Sequence, residues 1–493
     1  MSVADGLKAI KIAHLDQLFI DGAWVSPAAG GTLQVVSPIT EETIFTVAEA
    51  QAADVDRAVA AAREAFDRGP FPRWKPEERA DAIGRLSEAL KKRAQEIAQT
   101  ISSENGCPIA MSMGVQVFAS TMVLDTYARI ARTFPFEERR TGAMGQPVHV
   151  RRAPAGVCAA IVPWNVPLYI MAMKLGPALA AGCTVIVKAS PEAALDPYAL
   201  MAAVQEAGLP PGVINVLSAG RETSEYLVKH PGVDKVSFTG SSATGARIGA
   251  LCGAEIKRCT LELGGKSAAI ILDDVNLAAA VPQMLSAGLL NNGQACAAQT
   301  RFLAPRSRYK EVVDAMATGM AAMKVGPSLE LSTQIGPVVA RRQRDKILDY
   351  LEAGKHAGAK LATGGGKPKG FDKGWFIEPT LFYDVRNDMK IAREEIFGPV
   401  LVVIPYDGEE QAIALANDSD FGLGGGVWCG DTAHGVEVAA RVRTGAITVN
   451  TAMLLDFNSP FGGFKKSGIG RELGPEGIAP YTESQSIILP AGG

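Results

Sequence analysis

GVCAAIVPWNVPLYIMAMKLGPALAAGCTVIVK, residues 156–188, decides the fold. It is long and apolar enough to raise a membrane span, but Pro163, Asn165, Pro167 and Lys174 argue against one. The better reading is a strand over 156–162, a loop stiffened by two prolines, a helix over 168–181 and a second strand over 184–188, which together make one β-α-β unit. The stiff loop fixes the backbone that carries the Asn165 amide.

The alternation continues outward from this unit. Downstream, the pattern predicts a helix near 197–207, a strand at 213–217, a helix near 223–229, a strand at 235–238 and a helix opened by Gly240. Such alternation implies a doubly wound parallel sheet with ligands at the carboxyl ends of its strands. A second set follows Gly265, with strands around 268–272, 401–406 and 446–450. The expected class is therefore α/β, with two doubly wound parallel-sheet lobes. Ile396-Phe397-Gly398-Pro399 and the glycine-rich 422–426 stretch read as turns that bring the lobes together. Upstream, apolar residues at Val55, Ala58, Val59, Ala62 and Phe66, and again at Ile83, Leu86, Leu90, Ile97 and Ile101 up to Gly106, have helical spacing and read as packing helices.

Composition narrows the function. The 493 residues are 47% hydrophobic and 20% charged with a net charge of -3, which suits large cores and gives no basic face for nucleic acid or an anionic membrane. The short basic run Arg341-Arg342-Gln343-Arg344, with Asp345 and Asp349 interleaved, reads as a solvated helix face. The seven cysteines form no Cys-x-x-Cys pair and no cluster with the five histidines, so neither a metal site nor a disulfide framework is expected and a reducing compartment is. Asp5, Lys8, Lys11, His14 and Asp16 stand where a signal peptide would need an apolar run, which points to the cytosol.

Leu261-Glu262-Leu263-Gly264-Gly265-Lys266-Ser267 and Gly293-Gln294-Ala295-Cys296 carry the chemistry. A free thiol is only a few per cent thiolate at neutral pH and needs a base or an electropositive pocket. Apolar flanks desolvate Glu262 and raise its pKa toward neutrality, where a carboxylate is a usable base. The bland alternative makes Glu262 a turn residue and Cys296 a small buried hydrophobe. Asn165 adds a fixed amide of the kind that stabilises a developing oxyanion.

With these three segments, and with Ser237-Phe238-Thr239-Gly240-Ser241, Glu394-Glu395-Ile396-Phe397-Gly398-Pro399 and Pro460-Phe461-Gly462-Gly463-Phe464-Lys465-Lys466-Ser467-Gly468, the chain resembles the NAD(P)-dependent aldehyde dehydrogenase superfamily of the non-phosphorylating, hydrolytic type. The resemblance implies a variant Rossmann cofactor domain over 1–134 and 153–264, a catalytic domain over 265–470, and a small β oligomerisation element over 135–152 and 471–493. It also implies a homodimer or homotetramer. No Gly-x-Gly-x-x-Gly occurs; its place is taken by Gly240-Ser241-Ser242-Ala243-Thr244-Gly245, whose helix start offers backbone donors to a pyrophosphate. Trp164, Gly220, Gly240, Ser241 and Leu263 carry over as cofactor-side positions, Lys188 as the ribose lysine, and Glu395 and Phe397 as the pair that holds the nicotinamide ribose and ring. Many members have glutamate three residues after the lysine, favouring a free 2'-hydroxyl. This chain has Pro191 there and Glu192 next, so NAD is expected first with measurable use of NADP.

In the implied mechanism the Cys296 thiolate attacks the aldehyde, the Asn165 amide and Cys296 N–H meet the oxyanion, and hydride transfer leaves a thioester that Glu262-activated water hydrolyses. Lys174 and Glu472 match positions linked to proton movement, or form a salt-bridged pair. The implied substrate tunnel, Val166, Ile170, Met173, Leu454, Leu455 and Phe461, is apolar and holds no cation for a distal carboxylate. It suits aliphatic, terpenoid or aromatic aldehydes, each buried CH2 adding about 0.8 kcal/mol. Coenzyme-A-acylating members typically lack a glutamate at the position matching Glu262, so its presence favours hydrolysis. A cysteine hydrolase would need His14, His149, His230, His356 or His434 as base, and a scaffold that lost the chemistry would be expected to lose Cys296, Glu262 or Asn165.

Overall fold

The structure is a computed structural model that describes residues 12–453 and 456–490. The expectation about residues 1–11 lies outside it. The opening segment forms strand Val157–Ile161, helix Pro167–Ala181 and strand Thr184–Ala189. Pro167 occupies the first turn, where its missing N–H costs nothing, and Gly182 closes the helix in the left-handed conformation. Every residue of this helix is buried, as an all-round apolar helix requires; it packs against helices Pro76–Lys91 and Ala119–Thr133.

The first sheet runs in the order 23–25, 18–20, 214–218, 184–189, 157–161, 235–239, 258–262, 468–469. Its five central strands are parallel, and short antiparallel strands close both edges. The second sheet runs 360–363, 380–383, 400–406, 299–305, 267–271, 425–428, 448–449, parallel except for its first strand. Arg258–Glu262 is the last parallel strand of the first sheet and Ser267–Ile271 belongs to the second, so the chain crosses between the sheets over residues 263–266. That crossing carries Glu262 into the cleft. Strand Gly468–Ile469 returns to pair with Leu261 and Glu262, although a boundary at residue 470 assigns it to the second lobe. A third sheet, 482–488, 147–154 and 137–141, is antiparallel throughout.

Three sequence expectations are corrected. The 422–426 stretch is not a turn: Phe421–Gly422 pairs with Phe464–Lys465, and Gly425–Trp428 is a buried strand of the second sheet. Glycine is needed there because a Cβ on Gly426 would meet the Gln299 amide at 2.5 Å. The apolar spacing from Ile83 to Ile101 is broken at residues 92 and 93 into helices Pro76–Lys91 and Ala94–Asn105, where Lys92 and Arg93 pair with Glu206. The strand expected over 446–450 shortens to Thr448–Val449. The segment Ile109–Thr133 is long and apolar enough to cross a membrane; in the fold, its helix Ala119–Thr133 is packed between helices of the first lobe.

Candidate active site

Cys296 is half-buried on the loop that enters strand Gln299–Pro305 of the second sheet. Ahead of it, Asn291, Asn292 and Gly293 are all left-handed, with φ of 53°, 59° and 73°, and Gly293 lies against the Gly398 carbonyl so closely that no side chain fits. Burial, with the charges of Glu395 and Glu262 adding to it, pushes the Cys296 thiol up to about 12, against hydrogen bonding from the Cys296 and Ala297 N–H groups. At rest this is a thiol, not a thiolate. Asn165, 3% exposed, precedes helix Pro167–Ala181, and its Nδ2 donates to the Gln294 carbonyl at 3.0 Å. The amide therefore lies against the cysteine loop.

Glu262 is 3% exposed, and neither of its carboxylate oxygens has a hydrogen-bond partner among the described residues. Burial, and then the charge of Glu472, hold its carboxyl well above the usual range, with Lys174 and Arg471 opposing. Gly462 backs it, a Cβ there standing 2.7 Å from Glu262 Oε1. Glu472 is buried beside it and accepts from Lys174 Nζ at 2.7 Å and from Ser237 Oγ at 3.3 Å. Lys174 and Glu472 are thus an ion pair. Their field acts on Glu262, which is the observation that any role in proton movement must use.

The cofactor-side positions gather at the carboxyl ends of the first sheet's strands. Lys188, in strand Thr184–Ala189, is buried, which lowers its pKa to about 8 against the pull of Glu192, and its ammonium makes no hydrogen bond among the described residues. Gly220 and Ser241 each precede a helix, Arg221–Lys229 and Ser242–Ala254. Gly240 lies flat on the Phe238 ring, and Leu263 packs on Gly245. From the second lobe, Glu395 Oε1 accepts from the Gly265 N–H at 3.0 Å, and burial lifts its carboxyl to about 6. The Trp164 and Phe397 rings meet edge-to-face at 5.4 Å across the two lobes. A buried, unpaired lysine, two helix N-termini and side-chain-free backbone at Gly240 fit a dinucleotide.

Ile170, Met173 and Phe461 are buried and Val166 is half-buried, while Leu454 and Leu455 lie outside the described residues. A nearby cavity, bounded by Phe461, Ile447, Val449 and Met453, also carries Asp456 and Ser459, so its lining is not wholly apolar. The histidines are occupied elsewhere: His14 by Gln17, His230 by Asp56, His356 by the Glu352 carbonyl and His434 by Glu409. His149 sits in strand Pro147–Pro154 opposite Ile487. Among the described residues, no group of three His, Cys, Asp or Glu is arranged to hold a metal ion.

The solvated helix face read over 341–344 holds at Arg341 and Arg342, whose side chains are 64% and 66% exposed, but not at Gln343, which is buried. Arg341 pairs with Glu41 at 2.6 Å and Arg342 with Glu192. Gln343 donates to the carbonyls of Ile396 at 3.1 Å and Phe397 at 2.8 Å, and Lys346 Nζ to that of Glu395 at 3.3 Å. These side chains set the loop that aims Glu395 and Phe397. Their only sequence signal was a glutamine inside a basic run.

The sequence profile of the Aldehyde dehydrogenase family matches residues 24–487, and the chain belongs to that family. It is 45% identical to the geranial dehydrogenase of Castellaniella defragrans over 96% of this chain and 98% of that one. It is 37% identical to the betaine aldehyde dehydrogenase of Brucella canis over 96% and 97%. Among solved structures, it superposes with TM-score 0.95 on the Mycobacterium tuberculosis aldehyde dehydrogenase complexed with NAD+, at 47% identity over 97% and 99% of the chains. A Pseudomonas syringae aldehyde dehydrogenase complexed with NAD+ and octanal gives 0.94 at 39% identity over 97% and 98%.

Proposed function

We propose that this enzyme oxidises an apolar aldehyde to its carboxylic acid with NAD, and accepts NADP, by way of a thiohemiacetal and a thioester on Cys296. The observation that carries the reading is Glu262: a buried carboxyl with no hydrogen-bond partner among the described residues, its pKa raised by burial and by the charge of Glu472, in the same cleft as the half-buried Cys296 thiol and the fixed Asn165 amide. Cys296 supplies the nucleophile as its thiolate, the thiol proton leaving to solvent before the sulfur adds to the aldehyde carbon. The Asn165 amide and the Cys296 N–H receive the charge that develops on the aldehyde oxygen. Nicotinamide dinucleotide, when held along the carboxyl edge of the first sheet, would supply the hydride acceptor. Glu262 then takes a proton from water so that it attacks the thioester, and the Lys174–Glu472 pair sets the proton affinity of Glu262 and passes the proton inward. Lys188, Gly220, Gly240 and Ser241 hold the dinucleotide's ribose and phosphates, and Trp164, Leu263, Glu395 and Phe397 its nicotinamide end.

Val166, Ile170, Met173 and Phe461 support an apolar substrate, as do the geranial-named relative and the octanal-bound neighbour. The seven free cysteines fit a cytosolic enzyme. The strand pairing of 147–154 with 482–488 fits assembly into a homo-oligomer. The test is NADH formation at 340 nm over short, medium, aromatic and terpenoid aldehydes, beside Cys296→Ala. Turnover of the apolar members that vanishes in Cys296→Ala is expected. Absence of turnover with any aldehyde and either dinucleotide would move the assignment to an acyl-transferring or non-catalytic protein.

A further inference from the structure

Asn291 concentrates two costs in one residue. It is a non-glycine residue in left-handed backbone, φ 53°, and its side-chain oxygen is buried with no partner. Left-handed backbone is unfavourable for a non-glycine residue, least so for asparagine, and an unpaired buried acceptor adds a further penalty. Both are kept beside the cysteine loop, where strain and unpaired groups point to a task.

That task is readable from the donor side of the same amide. Asn291 Nδ2 donates to the Asn165 carbonyl at 2.8 Å and reaches the Gln294 carbonyl at 3.4 Å. The Asn165 side chain donates to that same Gln294 carbonyl at 3.0 Å. The opposite amide orientation would set an oxygen against two carbonyl oxygens, so the donor assignment follows from the network. The Asn165 loop and the 291–294 stretch, distant in sequence, are thus tied together by these amides. We infer that Asn291 is a positioning residue that fixes both oxyanion donors: the Asn165 amide through the Asn165 carbonyl, and the Cys296 N–H through the Gln294 carbonyl two residues ahead of it. The inference rests on the oxyanion role given to Asn165 above. Its neighbour Asn292 is equally left-handed and buried, but its amide serves Gly106, Pro337 and Gly336 instead.

Removing the Asn291 amide leaves neither carbonyl unpaired. Asn165 O still accepts from Gln116 at 3.1 Å and Asn105 at 3.3 Å, and Gln294 O still accepts from Asn165. Direction is lost while satisfaction is kept, which is the signature of positioning. Asn291→Gly preserves the left-handed backbone and deletes only the amide. It is compared with Asn165→Ala and the double variant in single-turnover stopped flow at saturating aldehyde, reading the NADH burst, with NAD binding and melting temperature measured alongside. The burst should slow by about 10- to 100-fold in Asn291→Gly, since a displacement near 1 Å costs about that much. NAD binding should stay within about twofold, as Asn291 touches none of the dinucleotide-side residues, and the double variant should be no slower than Asn165→Ala. A wild-type burst in folded Asn291→Gly, or losses that multiply in the double variant, overturns the inference. A wild-type burst in Asn165→Ala overturns the oxyanion reading itself, whatever Asn291→Gly does. If the glycine variant does not fold, the uncharged Asn291→Ala, which removes the same donor, is measured against the same two criteria.

Discussion

Burial favours the protonated form of both Glu262 and Cys296, with the charge of Glu472 adding to it at Glu262 and those of Glu395 and Glu262 at Cys296. Because the folded pKa of Glu262 is raised, its basic form grows in only as pH climbs through that raised value, and steady-state turnover should rise with pH over the same window. Glu262→Gln should flatten that rise and lower steady-state turnover by about 10²-fold or more, the usual worth of a general base. A near-stoichiometric NADH burst should survive, because hydride transfer precedes hydrolysis. An unchanged steady-state rate would remove Glu262 from the chemistry. Arg342 gives the second residue-scale prediction. It holds Glu192 together with the Ser190 hydroxyl, and these two hold that carboxyl below the usual range although burial opposes them. Paired with Arg342, the Glu192 carboxylate has its charge offset and repels a 2'-phosphate less. Arg342→Ala should cut the NADP-to-NAD ratio of kcat/KM about tenfold, the worth of one charge-assisted hydrogen bond; an unchanged ratio sinks this. Sequence exposed Cys296, Glu262 and Asn165 because each interrupts an apolar or glycine-rich setting. It concealed Gln343 and Asn291, whose work is done on backbone carbonyls more than 50 residues away in one case and more than 120 in the other, and carbonyls leave no mark in a sequence.

Helix Asp196–Ala207 begins in a way that its own sequence would misdescribe. Asp196 in the first turn looks like a favourable charge at a helix N-terminus, yet it is fully buried and both its oxygens lack a partner. The cap comes from another helix: Glu104, at the end of Ala94–Asn105, accepts from the N–H groups of Leu195 at 2.8 Å and Asp196 at 3.1 Å. Burial pushes Glu104 up to about 8, and burial with the Glu104 charge raises Asp196 as well. Desolvation of a buried charge costs several kcal/mol, whereas the dipole returns about 1 kcal/mol or less, so burial wins. Both folded pKa values lie above the unfolded ones. The stability tied to this pair is therefore full below about pH 4 and is lost as pH rises through about 8. Urea unfolding should show a midpoint that falls between pH 5 and pH 8.5, and Asp196→Asn should flatten the fall and add about 1–3 kcal/mol at the upper end. An equal slope in both proteins would reject it. The same contrast separates what was legible in the elements from what was not. The strand-helix alternation from 157 to 239 is written in runs of apolar residues broken by glycine and proline, and its observed boundaries fall within two residues of those runs. Strand Gly425–Trp428 was hidden because close approach of Gln299 demands glycine, which otherwise signals a turn.

The two lobes are held across the cleft by specific pairs, Arg341 with Glu41 and Arg342 with Glu192, and by the Trp164–Phe397 contact. The third sheet has no such closure. Its order, 482–488, 147–154, 137–141, puts the C-terminal strand at one edge and 137–141 at the other. Each therefore presents a row of N–H and C=O groups without strand partners among the described residues. Ile487 and Ile488 are 41% and 67% exposed at the end of that outer strand. An apolar, unpaired edge recruits another strand unless charge or a bulge blocks it, and in a homo-oligomer the partner offered is the same surface of a second copy. The Glu483 end of the strand is tied back to Arg258, so the edge is held in position and does not fray. We expect the wild-type chain to sediment as a dimer or tetramer of its 51.7 kDa subunit. Replacing Ile487 and Ile488 with aspartate should give a folded monomer, because both side chains are already solvated in the single chain and their loss costs its core little. Sedimentation velocity on the two proteins decides it. A wild-type monomer, or a double variant that still assembles with the same affinity, would show that this edge is not where subunits meet.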